Sequence, residues 1–184
     1  MKTLATLASR LFGIALVGLS IFVSLETIAR KLFNFSFEGA DEMGGYVLAV
    51  GSSLAFTVAL VDRAHIRIDV LHQHMPKRLQ LVADWMSAMA MAALGLFILY
   101  VGRIVIIDTI DYGSTAATPW ATPLIWPQGA WYGALCLFVL VSLILAFKAT
   151  RLFLTGRHDE LSADFHPKGA IEELQEEISD IERR

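Results

Sequence analysis

The chain has 184 residues, 55% of them hydrophobic and only 18% charged, with a formal net charge of -3. That balance excludes an ordinary soluble domain, and the lack of a basic excess argues against a nucleic-acid partner. The single cysteine, Cys136, precludes an internal disulfide and reads as a small apolar packing residue.

Four apolar segments, roughly Leu11 to Leu25, Tyr46 to Val61, Leu81 to Ile107 and Leu124 to Phe147, predict four transmembrane helices. A hydrocarbon core of about 30 Å needs about 20 largely apolar helical residues. Lys2 and Arg10 precede the first segment, which runs into Ser24-Leu25-Glu26-Thr27 without a small-x-small cleavage pattern. It is therefore read as a retained helix and not as a secretory signal. The helix continues to Phe33, and Glu26 and Arg30, four apart on one face, are expected to pair near the headgroups as an anchor.

The first link, Asn34 to Gly45, contains three glycines and turns tightly back into the membrane. Gly44, Gly45, Gly51, Ser52 and Ser53 then give the second helix a small-residue face for close packing. The next link, Asp62 to Gln80, alternates apolar and polar residues at Ile66, Ile68 and Val70 and stops at Pro76; periodicity leaves strand and helix both open. His65, Asp69, His72 and His74 offer metal-ligand chemistry there, but without thiolates or the two-turn helical spacing of a metalloprotease. They read instead as contacts to headgroups, backbone ends or a neighbouring subunit.

In the third helix, Asp84 and Arg103 are expected to snorkel toward water. Pro119, Pro123 and Pro127 with Trp120, Trp126 and Trp131 predict a stiff link at headgroup level. After Thr155 the composition changes: Ile171, Leu174, Ile178 and Ile181 recur at helical spacing among glutamates, predicting a short amphipathic acidic helix. The expected organisation is an all-α integral membrane protein, residues 1–154 forming four transmembrane helices and 155–184 a cytoplasmic acidic tail.

Basic residues set the expected orientation. Those before the first helix, between the second and third, and after the fourth fall on one side, which the positive-inside rule makes cytoplasmic; Arg30 and Lys31 are the exception. The outward links then carry Glu38, Asp41, Glu42, Asp108 and Asp111. These are candidates for docking a soluble partner, although Asp41 and Glu42 also suit a helix N-terminus through its dipole. Arg63, His65 and Asp69 are candidates for fixing the inward link against lipid headgroups or a partner. No nucleophile with acid and base partners, phosphate loop or haem motif is present, so no enzyme activity and no cofactor are expected. The membrane centre offers no ionisable row or inverted repeat that would build a transport site.

Arg30-Lys31-Leu32-Phe33, Asp41-Glu42-Met43, Gly51, and the run Asp62-Arg63-Ala64-His65-Ile66-Arg67-Ile68-Asp69-Val70-Leu71 closing at Pro76 occur in that order. Together with four helices and a Pro/Trp link before the last, this combination resembles the small membrane subunit of tripartite ATP-independent periplasmic (TRAP) transporters, the DctQ-type small permease, across Leu4 to Arg151. Family members often carry paired glutamates where Asp41-Glu42 stands. The resemblance implies a scaffold in a bacterial inner membrane with both termini cytoplasmic. Its partners would be a large membrane subunit that binds sodium and substrate, a periplasmic binding protein that captures an organic acid, and membrane lipids. The alternative is a self-contained oligomeric channel or carrier, which needs polar residues converging from several copies. A third class, a redox or metal enzyme subunit, would use His65, His72 and His74.

Overall fold

The structure, a computed structural model, describes residues 2–62, 75–165 and 178. Helix α1 spans Lys2–Phe33, α2 Ala40–Asp62, α3 Lys77–Tyr112, α4 Ile125–Leu154 and α5 His158–Phe165. The first four are each long and apolar enough to cross a membrane. All four outrun their apolar cores, because backbone hydrogen bonding continues where side-chain hydrophobicity stops. At about 1.5 Å per residue, the 36 residues of α3 span about 54 Å, some 24 Å beyond the hydrocarbon.

Specific residues end the helices. Gly113 (φ 56°) and Gly156 (φ 70°) take the left-handed conformation after α3 and α4. Gly113 N–H donates to Ile110 and Ser114 N–H to Thr109; Gly156 N–H donates to Phe153 and Arg157 N–H to Leu152. Both ends are Schellman closures, which satisfy carbonyls otherwise left without partners. Asn34 (φ 47°) closes α1, with Phe35 N–H returning to the Ala29 carbonyl. Pro76 and Pro123 stand before α3 and α4, and their carbonyls accept the first-turn N–H groups of Leu79 and Trp126.

The chain divides into two compact units. The first comprises residues 1–62 and 93–141. In it α1 packs on α2, where the Phe12 ring lies over Gly51. Gly102 lets α3 approach Tyr132 and Trp131 of α4, and Phe56 meets Phe138 edge-on at 6.3 Å. Gly51, Ser53 and Thr57 are the buried small residues of α2. Ser52 and Gly45 are exposed, and a Cβ at Gly44 or Gly45 would meet open space. The expected five-residue face therefore narrows to Gly51 and Ser53, since residues adjacent in sequence point about 100° apart on a helix.

The second unit comprises residues 63–92 and 142–184. Ala149, Leu152, Leu161 and Phe165 form its core, with Leu81, Trp85, Ala88, Leu145 and Phe153 packed around them. Trp85 donates its indole N–H to Thr150 Oγ1 (3.1 Å) and stacks on Phe153 at 5.4 Å. Lys148 pairs with Asp164 at 2.7 Å, so α5 folds back along the end of α4. A short helix thus follows α4 directly, carried by Leu161 and Phe165 at a spacing of four. The predicted amphipathic helix at 171–181 lies outside the described residues except for Ile178, which is helical and exposed. Asp84 is buried, contrary to the snorkelling expectation, whereas Arg103 is exposed. One methylene cannot carry a carboxylate to water from an inward-turned position, while an arginine stem can.

Candidate functional site

The chemistry of the first unit gathers at its two links. Glu26, seven residues before the end of α1, is buried, and the first link folds back over it. Ser36 donates its hydroxyl to Glu26 Oε1 (2.6 Å), the Phe37 N–H donates to Oε2 (2.7 Å), and the Glu38 N–H donates to Ser36 Oγ (3.1 Å). Phe37 packs between Phe22 and Phe35. A carboxylate withdrawn from water needs such donors. Link donors thus hold Glu26 most directly, and the expected partner Arg30, itself exposed, adds a smaller charge interaction. An arginine at a helix end reaches solvent easily, leaving the inner carboxylate to the nearest backbone.

Glu42 performs the matching task at the second link. It is buried in the first turn of α2, where Tyr46 donates its hydroxyl to Oε1 (2.8 Å) and Thr118 donates to Oε2. The side chain of Thr122 adds a further hydrogen bond. Thr118 and Thr122 flank a tight hairpin. The Ala121 N–H bonds the Thr118 carbonyl (2.9 Å), the Ala116 N–H bonds Thr122 (2.9 Å), the Leu124 N–H bonds Ser114 (3.0 Å), and Thr115 bridges Pro123. Pro119 presets the second position of this turn. Trp120, next in the turn, covers Gly39 so closely that a Cβ there would sit 2.5 Å from the indole. Below the hairpin, Thr109 donates to Gln128 Oε1 at 2.6 Å, tying α3 to α4.

The structure separates the acidic residues predicted for this rim into two kinds. Glu42 is an internal tie, whereas Glu38, Asp41, Asp108 and Asp111 are exposed around it. Arg63, His65 and Asp69, with His72 and His74, lie outside the described residues. Sequence reasoning missed Ser36, Thr118, Thr122, Thr109 and Gln128. Only the Glu42–Tyr46 tie had a local signal, its spacing of four.

Four helices each long and apolar enough to cross a membrane, with the buried carboxylates of α1 and α2 tied to the links, define a multi-pass membrane protein. The sequence matches the family model of the tripartite ATP-independent periplasmic transporters, DctQ component, over residues 19–152. The match covers well over half of the chain, from the middle of α1 to near the end of α4, and the protein belongs to that family of transporter components. Comparison with individually curated proteins returns no match.

Proposed function

We propose that this chain is the scaffolding subunit of its transporter, broadening and anchoring a large membrane subunit that carries the ion and substrate sites. Uptake is driven by an ion gradient, sodium in this reading, and the cargo is an organic acid delivered by a periplasmic binding protein. Both termini face the cytoplasm of a bacterial inner membrane, so the two linked ends face the periplasm. The observation that carries the reading is the use made of Glu26 and Glu42. Each carboxylate is turned onto the protein's own donors and not toward a pathway. Meanwhile large apolar side chains such as Ile14, Val17, Phe97, Tyr100 and Phe147 stay uncovered, available to lipid or to a membrane partner.

The test is reconstitution. The large membrane subunit of the transporter is placed in vesicles with and without this chain, and sodium-driven uptake is measured with purified binding protein outside. Uptake should require both membrane subunits and the sodium gradient. Equal uptake by the large subunit alone, or transport by this chain alone, would refute the scaffold assignment.

A further inference from the structure

The C-terminal end of α4 and the turn after it carry three cations, Lys148, Arg151 and Arg157, and the chain neutralises two of them. Lys148 pairs with Asp164 at 2.7 Å, and Arg157 donates from Nε to Glu160 Oε1 at 2.7 Å. Arg151 is exposed and forms no ion pair among the described residues, even though α5 offers a third carboxylate, Asp159. Its neighbours on the helix surface are apolar. Phe147 and Leu154, four residues before it and three after, share its face and are 73% and 78% exposed. The side of α4 bearing Ala149 and Leu152 is the one that packs into the core of this unit. Depth along the helix sorts the three exposed side chains. No charge occurs from Ile125 to Phe147, so Phe147 closes the hydrocarbon run, and Arg151, about 6 Å further along the axis, stands at headgroup level. Helical side chains lean toward the N-terminus, here the hydrocarbon side, so Leu154 lies over the turn that holds Arg151.

We infer that this face binds an anionic phospholipid, with the lipid phosphate on the Arg151 guanidinium and the acyl chains along Phe147 and Leu154. The occupant follows from the order of the side chains: it needs a negative group at the depth of the guanidinium and an apolar body immediately on the membrane side of it. A guanidinium binds a phosphate through paired N–H donors. Free phosphate would use the cation and leave both apolar side chains bare. A zwitterionic lipid brings its own ammonium to the phosphate and gains less from an unpaired arginine. The site is carried by this chain alone and needs no transporter partner.

The full chain, in mild detergent micelles holding equal amounts of phosphatidylglycerol and phosphatidylcholine with the same acyl chains, is assayed by native mass spectrometry for retained lipid. The wild type should retain phosphatidylglycerol over phosphatidylcholine by about fivefold. Arg151→Gln should bring the two to parity, while Arg151→Lys, which keeps the charge, should keep most of the preference. Arg157→Gln removes the same formal charge from a cation already paired and should leave the preference intact. No preference in the wild type, or an equal loss in Arg151→Gln and Arg157→Gln, refutes the site. Inorganic phosphate in excess should not displace the lipid; displacement reveals a bare anion site and overturns the lipid assignment. In the complex with the large membrane subunit the preference and its dependence on Arg151 should persist. Their loss there gives this face to a protein interface and likewise overturns the lipid assignment.

Discussion

Replacing Gly51 by alanine tests how α1 is held. A Cβ at residue 51 would stand 1.9 Å from Phe12 Cε2 and 2.2 Å from Cδ2. Restoring an ordinary carbon contact of about 3.4 Å requires the ring to retreat by about 1.5 Å. Overpacking of this kind costs about 1–3 kcal/mol, while removing a glycine from a helix interior returns up to about 1 kcal/mol. The net loss is about 1–2 kcal/mol, or a fall in melting temperature of roughly 2–8 °C for a chain of this size. Gly45→Ala is the matched control: the same chemical change on the same helix, in open space, should be neutral or stabilising. Melting of the purified chain in detergent, followed by tryptophan fluorescence, checks both. Phe12→Leu should rescue Gly51→Ala by making room for the new methyl. If Gly51→Ala melts no lower than Gly45→Ala, the Phe12–Gly51 seat is not what joins α1 to α2.

Three further outcomes are expected. Asp108→Lys combined with Asp111→Lys should raise the binding-protein concentration for half-maximal uptake several-fold at low salt, the defect shrinking as salt screens it; unchanged titration at low salt would make this rim ordinary solvated surface. Leu161→Ala, at a fully buried position, should cost about 2–5 kcal/mol of packing and free α5, seen as faster tryptic cleavage after Arg157; an unaltered cleavage rate counts against the fold-back of α5. In a Cys136→Ala background, Gln73→Cys and Tyr112→Cys should be labelled from opposite sides of the membrane, with position 112 outward, and labelling from one side would overturn the four-crossing orientation.

The crossings were legible because a run of about 20 apolar residues has few other homes. Their ends were not, because Gly113 and Gly156 close helices well past the last apolar stretch. Clustering of small residues flagged α2 as a packing helix, yet only the position of Phe12 shows that Gly51 faces inward while Gly45 does not. The acidic character of Asp41-Glu42 was plain, but the division of labour between them depends on Thr118, distant in sequence. Glu26 was paired with the nearest opposite charge along its helix. In the folded chain, hydroxyl and amide donors from a returning link hold the carboxylate directly, and the charge of Arg30 adds to them. The short helix α5 has no periodic signal in the sequence, because only two of its eight residues, Leu161 and Phe165, are large and apolar.

The tie between Glu42 and Thr118 spans 76 positions, which places it in time as well as in space. At a synthesis rate of about 5–20 residues per second, the threonine is made about 4–15 s after the glutamate. During that interval the rest of α2 and the whole of α3 must be synthesised before the hairpin exists, and the carboxylate has only Tyr46, on its own helix, from among its eventual side-chain partners. The tyrosine thus acts as a chaperone within the chain, holding a charge that the finished protein will share with a later arrival. Closure of the hairpin after the third crossing, and not insertion of the second, is the event that settles this end of α2.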